Sequence, residues 1–321
     1  MSELAQIKTV LIGSSGTGNA FSSILALRNN WGSSTRIVTM DTNPKNLVTS
    51  SLLSDKHYQV PVTENTEFKN SVIKICADEN IGTYIPFIDN EIYIAAFLYE
   101  QKKLIKNINL QVKSSAIAEL CNDKYKTFLW LSENDIVTPE CYKLNAPINE
   151  KGHLVLKIRK GFGSSVIKLS QSKVRLSSYN PEEYMIQQEC ENPEITIDVC
   201  YDKKRKYFQY ICRERVETKC GVCTKARLFH DTTLEKMAFF IADKLDLHSF
   251  CFQTMKYKGE WAVTDINARL GAGTGMSVAA GMGFFSAMYA ILWDEDPSDF
   301  FKPLQKEIFV TRQYSEFVMN Y

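Results

Sequence analysis

The chain has 321 residues, with 38 Lys and Arg against 37 Asp and Glu, and 45% of its residues are hydrophobic. This length predicts two or three domains with sizeable cores. The near balance of charge excludes an overall field that would attract nucleic acid or an anionic membrane surface. We therefore expect small molecules as partners.

Nine cysteines are scattered along the chain, and no secretory signal precedes the first predicted strand. These features predict a reducing cytoplasm and no disulfides. The Cys-x-x-Cys pair of Cys220 and Cys223 lacks a second pair or a histidine at zinc spacing, so loop cysteines are preferred over a metal or redox site. The uncharged run 270–293 is long enough to span a membrane, but its Gly-rich start predicts a glycine loop and then a buried helix.

Strands and helices alternate in the N-terminal third of the chain. Apolar runs predict strands at residues 9–13, 36–41 and 83–88. Periodic runs between them predict helices at residues 20–27 and 67–80. This alternation is typical of a parallel, doubly wound sheet. It predicts a Rossmann-like domain at residues 1–107.

The first strand is followed by a glycine-rich turn. Gly13, Gly16 and Gly18 have the spacing G-x-x-G-x-G, which differs from the dinucleotide-binding spacing G-x-G-x-x-G. Asp41 ends the second strand, where a ribose-binding acid would lie in an NAD site. Because the glycine spacing is wrong, we prefer a tight strand-to-helix turn whose exposed amides could hold some other anionic group.

A second glycine-rich segment lies mid-chain. A helical pattern over 114–130 contains Asp123 and Lys124, and two β-rich runs then flank a hairpin loop that contains Gly161, Phe162, Gly163, Ser164 and Ser165. Glycines permit close backbone approach to phosphates, and amides and hydroxyls can donate to their oxygens. Lys157, on the strand before the loop, could reach an inner phosphate. A flexible turn without function is the alternative.

The segment after this hairpin leads from Gln187, Gln188, Glu189 and Cys190 to Glu194 and Asp198. Its backbone could read an adenine edge, and an acid a few residues later could bind ribose hydroxyls. Alternatively, both acids are polar positions of a half-buried strand. Arg213 and Arg215 follow, one strand repeat apart, and favour an anionic acceptor of a phosphoryl group. A long amphipathic helix is predicted next.

The most informative motif ends a predicted strand with Asp265, Asn267 and Arg269 at alternate positions. Alternate strand residues share one face. Asp and Asn supply the oxygen ligands that Mg²⁺ accepts, and Arg can neutralise charge on a transferred phosphoryl group. A hairpin with the preceding strand would place Gln253 near Asp265 and Asn267. The solvated face of an ordinary antiparallel strand is the alternative.

In order and spacing, these motifs resemble the ATP-grasp superfamily, most closely its carbamoyl-phosphate-synthetase-like branch of carboxylate–amine ligases. The resemblance covers almost the whole chain. It implies an ATP-grasp fold, of α/β and α+β class, with an N-terminal Rossmann-like pre-ATP-grasp domain at residues 1–107 and an ATP-grasp domain at 108–321. The latter would comprise an antiparallel lid subdomain at about 121–190 and a C-terminal α+β subdomain at about 191–321.

The resemblance implies ATP and Mg²⁺ or Mn²⁺ as cofactors and assigns roles to matching residues. Lys124, Lys157 and the mobile loop, which is residues 161–165, hold the ATP phosphates. The adenine-reading hinge is Gln187, Gln188, Glu189 and Cys190, and Glu194 is the ribose acid. The metal ligands are Gln253, Asp265 and Asn267.

The remaining roles concern the substrates. The resemblance implies that Arg269 stabilises the transferred phosphoryl group and that Arg213 and Arg215 receive the substrate carboxylate or the acyl-phosphate. Asp89 and Glu91 match a segment near the cleft that contacts the acceptor amine, with helix capping as the alternative. Homodimers are common in the family.

Three positions depart from the family pattern. Asp265 stands where the main metal acid is usually Glu, Gln253 is a neutral ligand where many relatives have an acid, and Ala268 replaces the usual Pro after the Asn. Because no needed type of ligand is removed, we expect an active enzyme. The shorter Asp265 requires a closer backbone or a less tightly held second magnesium.

The predicted reaction is ATP-dependent carboxylate ligation through an acyl-phosphate, which an amine then attacks. Closure of the glycine loop would exclude water and protect this intermediate. Three alternatives stay open: activation of bicarbonate, an ATP-binding module without catalysis, and a Rossmann dehydrogenase. The sequence does not identify the acid or the amine.

Overall fold

The computed structural model describes residues 7–146, 153–161, 167–169, 176–219 and 221–319. Phe162, Gly163, Ser164 and Ser165 of the predicted phosphate loop therefore lie outside the described residues.

The N-terminal part is a five-stranded parallel sheet with the strand order β3-β2-β1-β4-β5. Its elements are β1 (Lys8–Ile12), α1 (Gly18–Trp31), β2 (Thr35–Asp41), β3 (Lys56–Gln59), α2 (Glu67–Asp78), β4 (Thr83–Ile85), α3 (Asp89–Glu100) and β5 (Asn109–Leu110). The predicted parallel sheet is confirmed. Its two edge strands were not predicted, because β3 is short and polar and β5 has only two residues.

Two short helices lead out of this sheet, where one helix was predicted over residues 114–130. They are α4 (Ser115–Asn122) and α5 (Lys124–Glu133). The prediction of one helix is wrong, because Asp123 takes an extended conformation (φ −104°, ψ 105°) and caps the second helix with its carboxylate. This break places Lys124 at a helix N-terminus.

A four-stranded antiparallel sheet follows, with the strand order β6-β9-β7-β8. Its strands are β6 (Cys141–Lys143), β7 (Leu154–Ile158), β8 (Ile167–Lys168) and β9 (Tyr184–Gln188). The predicted hairpin is therefore present as β7 and β8.

The largest sheet has six antiparallel strands in the order β14-β13-β10-β11-β12-β15. Its strands and accompanying helices are β10 (Glu191–Asp202), β11 (Tyr207–Lys219), β12 (Val222–Phe229), α6 (Thr232–Leu245), β13 (Ser249–Tyr257), β14 (Glu260–Asn267), α7 (Thr274–Ala279), α8 (Phe284–Leu292) and β15 (Ile308–Thr311). The predicted hairpin of β13 and β14 pairs Gln253 with Asp265.

Side chains alternate between the two faces of β10, so this strand contributes to the hydrophobic core and to the cleft. Ile195, Ile197 and Val199 point to a core that includes α6, whereas Cys200 joins a second core on the opposite face. That second core also contains residues of β1, α1 and α8, so the parallel sheet and the six-stranded sheet share buried apolar side chains. The rest of this opposite face of β10 carries polar side chains.

The glycine-rich run 270–293 forms a turn, α7 and the buried helix α8, as the sequence predicted. Within the described residues, no helix has the length and apolar character needed to cross a membrane. All eight described cysteines are free thiols.

The shared core makes a prediction about stability. Phe285 is fully buried and meets Phe87 edge to face, with the ring centroids 6.2 Å apart. Phe285→Ala should lower the free energy of unfolding by about 3–5 kcal/mol, because it leaves a cavity between the two sheets. Phe309→Ala is the matched control: its side chain is 72% exposed, and its loss should cost less than about 0.5 kcal/mol. Urea unfolding followed by circular dichroism measures both, and equal effects would contradict a shared core.

Candidate functional site

One cleft, with a volume of about 240 Å³, contains residues of both antiparallel sheets. From the first half of the chain come Lys124, Lys157 and Gly161, and from the second half come Glu194, Arg213, Arg215, Gln253, Asp265, Asn267 and Arg269. Folding therefore brings together residues that the sequence separates by more than a hundred positions. Ten of the predicted site residues line this one cleft.

The two lysines enter the cleft from different elements. Lys124, at the start of α5, donates to the carbonyl oxygen of Gly161 at 3.1 Å and lies 3.9 Å from the carboxylate of Asp265. Lys157, on β7, donates to the side chain of Gln187 at 3.0 Å. Burial lowers the pKa of Lys157, and the charge of Lys124 adds to this, while Asp265 opposes it. An anion between the lysines would favour the charged form of Lys157.

The predicted hinge lies beside Lys157. The side chain of Gln187 is buried, accepting from Lys157 and facing the thiol of Cys141. The amides of Gln188 and Glu189 donate to backbone carbonyl oxygens of Glu140 and His153. These two amides would have to leave their partners to read an adenine edge.

The predicted metal ligands stand side by side at the end of β14. Gln253 is the β13 partner of Asp265, and the amide of Asn267 lies 3.5 Å from the Asp265 carboxylate. One carboxylate and two carboxamides supply hard oxygen ligands, and Mg²⁺ in phosphate sites commonly takes one or two carboxylates together with phosphate oxygens. The side chains present therefore fit a magnesium that a bound triphosphate helps to hold.

Arg213 is 2% exposed and is paired with Asp198, which is fully buried. Its Nη2 donates to both carboxylate oxygens, at 3.1 and 3.3 Å, and Asp198 also accepts from Thr274 and Ser277, each at 2.8 Å. Burial opposes the charge of Arg213, but Asp198 outweighs it and raises the arginine pKa. A Cβ atom on Gly273 would lie 1.9 Å from Nη1 of Arg213, so the turn before α7 needs glycine there.

The other two arginines of the cleft are also paired. Arg215 donates to Glu194, the predicted ribose acid, and to the carbonyl oxygen of Gly221. Arg269 donates to both oxygens of Asp89, at 3.1 and 3.3 Å. Asp89 begins α3, so the N-terminal part of the chain supplies the partner of an arginine that directly follows the last residues of β14.

A second cavity, of about 430 Å³, adjoins the first. It lies at the carboxyl ends of β1, β2 and β4, where the strand order reverses and where such sheets bind ligands. Gly161 lines both cavities, and the ion pair of Asp89 with Arg269 connects them. Among the described residues that line it are four acids and no Lys, Arg or His. The acids are Asp41, Glu64, Asp89 and Glu91.

The glycine turn between β1 and α1 borders this second cavity, but its amides are occupied. Gly16 donates to the carboxylate of Asp41 at 2.7 Å, Ser15 donates to the carbonyl oxygen of Met40, and Thr17 to that of Ser14. The prediction that exposed amides here could hold an anion is therefore not supported at these positions, since a carboxylate of the protein already takes that place.

Glu91 is the most perturbed acid of the second cavity. It is 1% exposed and accepts hydrogen bonds from Ser14 at 2.5 Å and Tyr84 at 2.6 Å. Burial raises the pKa of Glu91 to about 7, although both hydrogen bonds act in the opposite direction. Gly13 lies against this side chain, since a Cβ atom there would be 1.6 Å from Oε1.

Two features of this site could not be found in the sequence alone. No residue pattern indicated a partner for any of the three arginines, and none defined a role for Asp198. The only signal was the spacing of Glu194 and Asp198, which puts both on the cleft face of β10 and opposite β11.

Family models match two parts of the chain. Residues 121–273 match an ATP-grasp domain, and residues 10–113 match a PylC-like N-terminal domain. Together the two matches span most of the sequence, and residues 121–273 are a domain of the ATP-grasp family. A comparison with curated proteins found no match.

Solved structures show the same fold. An L-amino acid ligase from Bacillus licheniformis has a TM-score of 0.70 at 14% identity, over 89% of this chain and 74% of that one. N5-carboxyaminoimidazole ribonucleotide synthetase from Thermotoga maritima has a TM-score of 0.67 at 13% identity, over 90% and 76%. The biotin carboxylase domain of the Hydrogenobacter thermophilus 2-oxoglutarate carboxylase, in complex with MgADP, ADP and bicarbonate, has 0.70 at 14%, over 90% and 70%. The predicted fold class is confirmed.

The buried pair of Arg213 and Asp198 leads to a prediction. Arg213→Met should lower the free energy of unfolding by about 3–5 kcal/mol, because the Asp198 carboxylate stays buried without its cation. Adding Asp198→Asn should restore part of this loss. Urea unfolding of the single and double variants measures the difference. A double variant no more stable than Arg213→Met would show that the uncompensated carboxylate is not the cause.

The raised pKa of Glu91 predicts a pH dependence of stability. The folded protein keeps the Glu91 proton up to about pH 7, whereas an ordinary Glu loses it near 4.5. The contribution of Glu91 to stability is therefore full below pH 4.5 and falls by up to about 3 kcal/mol as the pH rises through 7. Glu91→Gln should remove this loss, so that its stability relative to wild type is higher at pH 8 than at pH 5. Thermal unfolding of the variant and the wild type at pH 5 and pH 8 measures this change in relative stability. A stability difference that is the same at both pH values would contradict the raised pKa of Glu91.

Proposed function

We propose that this chain is an ADP-forming ligase that activates a carboxylate with ATP and joins it to an amine. The observation that carries the proposal is the single cleft in which Lys124 and Lys157 face Asp265, Asn267 and Arg269. A metal-bound triphosphate needs cationic side chains near its phosphates and oxygen ligands for its metal. The family supports the same class, because its structural relatives include a ligase and a carboxylase domain.

In this proposal the lysines hold the inner phosphates. The three arginines of the cleft already have carboxylate partners, so the lysines carry the positive charge that remains available for ATP. Asp265, Asn267 and Gln253 would hold Mg²⁺ or Mn²⁺, which neutralises the β- and γ-phosphates when bound. Glu194 would bind the ribose, and the predicted hinge from Gln187 to Cys190 the adenine.

The chemistry follows from charge placement. A carboxylate oxygen of the substrate attacks the γ-phosphorus, the bond to the β-phosphate oxygen breaks, and ADP leaves. Arg269, fixed by Asp89, lies where it can stabilise the transferred phosphoryl group. Nη1 of Arg213 makes no hydrogen bond to any described residue and lines the cleft, so it is available for the substrate carboxylate.

The second cavity is the proposed site of the amine. The described residues that line it include four acids and no basic side chain, which favours a cationic amine and disfavours an acceptor that carries phosphate. Asp89 connects this cavity to the ATP cleft through its ion pair with Arg269, and Glu91 lies two residues further along α3. When the neutral amine attacks the acyl carbon and phosphate leaves, the amine must lose a proton, and a carboxylate with a pKa near 7 is suited to accept it.

Bicarbonate is the second candidate for the activated carboxylate. The likeness to a biotin carboxylase domain solved with bicarbonate is the observation in its favour.

The eight described cysteines are free thiols. They support the expected cytoplasmic location, since reduced cysteines are typical there.

Phosphate release tests the proposal. The purified protein is incubated with Mg-ATP and pairs of amino acids, and phosphate and ADP are measured, with mass spectrometry of any product. Cationic amines without phosphate should be the acceptors. Lys157→Ala and Asp265→Ala should each lower turnover by at least about 10³-fold without unfolding the protein, because each removes a charge that the transition state needs.

The same assay includes a control variant and the outcomes that would contradict the proposal. Lys244→Ala removes a lysine from α6, outside the cleft, and should leave turnover unchanged. ADP formation with bicarbonate alone would favour the second candidate. Wild-type turnover in either cleft variant would contradict the assignment, and nucleotide binding without any turnover over the whole panel would indicate a binding module.

A further inference from the structure

Asp123 and Arg159 form an ion pair just behind the cleft. Arg159 Nη2 donates to Asp123 Oδ2 at 2.7 Å and its Nε to Oδ1 at 3.2 Å, and the Asp123 side chain is 1% exposed. Asp123 also accepts from the amides of Tyr125 and Lys126, so it caps α5 at the same time. Burial alone would raise the pKa of Asp123, but Arg159 and the two amides together lower it.

Along the chain, this pair flanks the two lysines of the cleft. Asp123 directly precedes Lys124, and Arg159 follows Lys157 by two residues and precedes Gly161 by two. The backbones are joined as well, since the amide of Lys124 donates to the carbonyl oxygen of Arg159 at 2.9 Å. Neither Asp123 nor Arg159 lines the cleft. The pair therefore connects the N-terminus of α5 to the end of β7 without occupying the space of a ligand.

We propose that Asp123 and Arg159 are positioning residues, which hold Lys124 and Lys157 at the separation that a nucleotide polyphosphate requires. This inference rests on the proposed ATP site. Without the pair, the start of α5 would keep the backbone hydrogen bond from Lys124 to Arg159 and the backbone bridge of Asp123 with Lys160, but Lys124 would lose its fixed place over Gly161 and Asp265.

An electrostatic role and a positioning role of Asp123 predict opposite changes in nucleotide affinity for the substitution Asp123→Asn. Asp123→Asn removes a negative charge close to the cleft, which by itself would strengthen the binding of an anion. Asn is about as good a helix cap as Asp, so the start of α5 is kept. Its amide nitrogen, however, cannot accept from Arg159. Weaker nucleotide binding in this variant would therefore arise from the lost pair and not from the lost charge.

The experiment is calorimetric titration of Mg-ADP into the full chain. Asp123→Asn should weaken binding by about tenfold, the effect of losing one charge-assisted hydrogen-bonded contact. Asp231→Asn is the matched control, because Asp231 caps α6 through two amides in the same way and does not line the cleft. It should change the affinity by less than about twofold.

A double-mutant cycle tests whether Asp123 acts through the lysine. In a Lys124→Ala background, Asp123→Asn should add less than about a twofold further loss, since positioning has no effect once the positioned group is gone. A full tenfold further loss would assign Asp123 a general structural role and overturn the inference.

The outcomes separate this inference from the proposed function. A wild-type protein that does not bind Mg-ADP would refute the ATP site and the inference with it. Wild-type binding together with unchanged or tighter binding in Asp123→Asn would refute the positioning pair and leave the ATP site intact. Equal weakening in Asp123→Asn and Asp231→Asn would also refute it, because the loss would then follow from helix capping in general.

Discussion

The cleft depends on the pairing of its arginines. An arginine taken out of water is costly unless a carboxylate accepts its hydrogen bonds. Arg213, Arg215 and Arg269 each have such a partner, respectively Asp198, Glu194 and Asp89. These pairs fix the guanidinium groups and cancel most of their charge. The face of the six-stranded sheet can therefore be polar at the cleft and apolar a few residues further along the same strands.

Because the arginines are compensated, the lysines have a different role. Lys124 and Lys157 come from elements outside the six-stranded sheet, and their closest acidic contact is the 3.9 Å approach of Lys124 to Asp265. The cleft thus combines fixed, neutralised cations with cations that a ligand can still engage. This arrangement suits a site that must bind a highly charged nucleotide and release a product with a different charge.

The N-terminal part of the chain takes part in the site through one ion pair. Asp89 begins α3 on the parallel sheet and binds Arg269 on the other sheet. The same residue lines the acidic cavity. This ion pair therefore joins the proposed site of phosphoryl transfer to the proposed site of the amine, and the shared core of α1 and α8 keeps the two parts in register.

Much of the fold was predictable because it rests on local patterns. Alternating strands and helices predicted the parallel sheet, and the spacing of Asp265, Asn267 and Arg269 predicted a shared face. The break between α4 and α5 was missed, since Asp123 reads equally well as a polar position on one long helix. Its carboxylate also pairs with Arg159, which lies 36 residues away in the chain, and no local pattern contains that contact.

Hydrophobic periodicity predicted the parallel sheet, and the order of short motifs predicted the ATP-grasp fold and the types of side chain in the cleft through their resemblance to a known family. Contacts in the folded chain establish which carboxylate pairs with which arginine, that the first glycine turn is closed by Asp41, and that Glu91 is buried. These properties arise from contacts between distant segments. Burial and charge pairing are set by the whole surroundings of a residue, and no short stretch of sequence contains them.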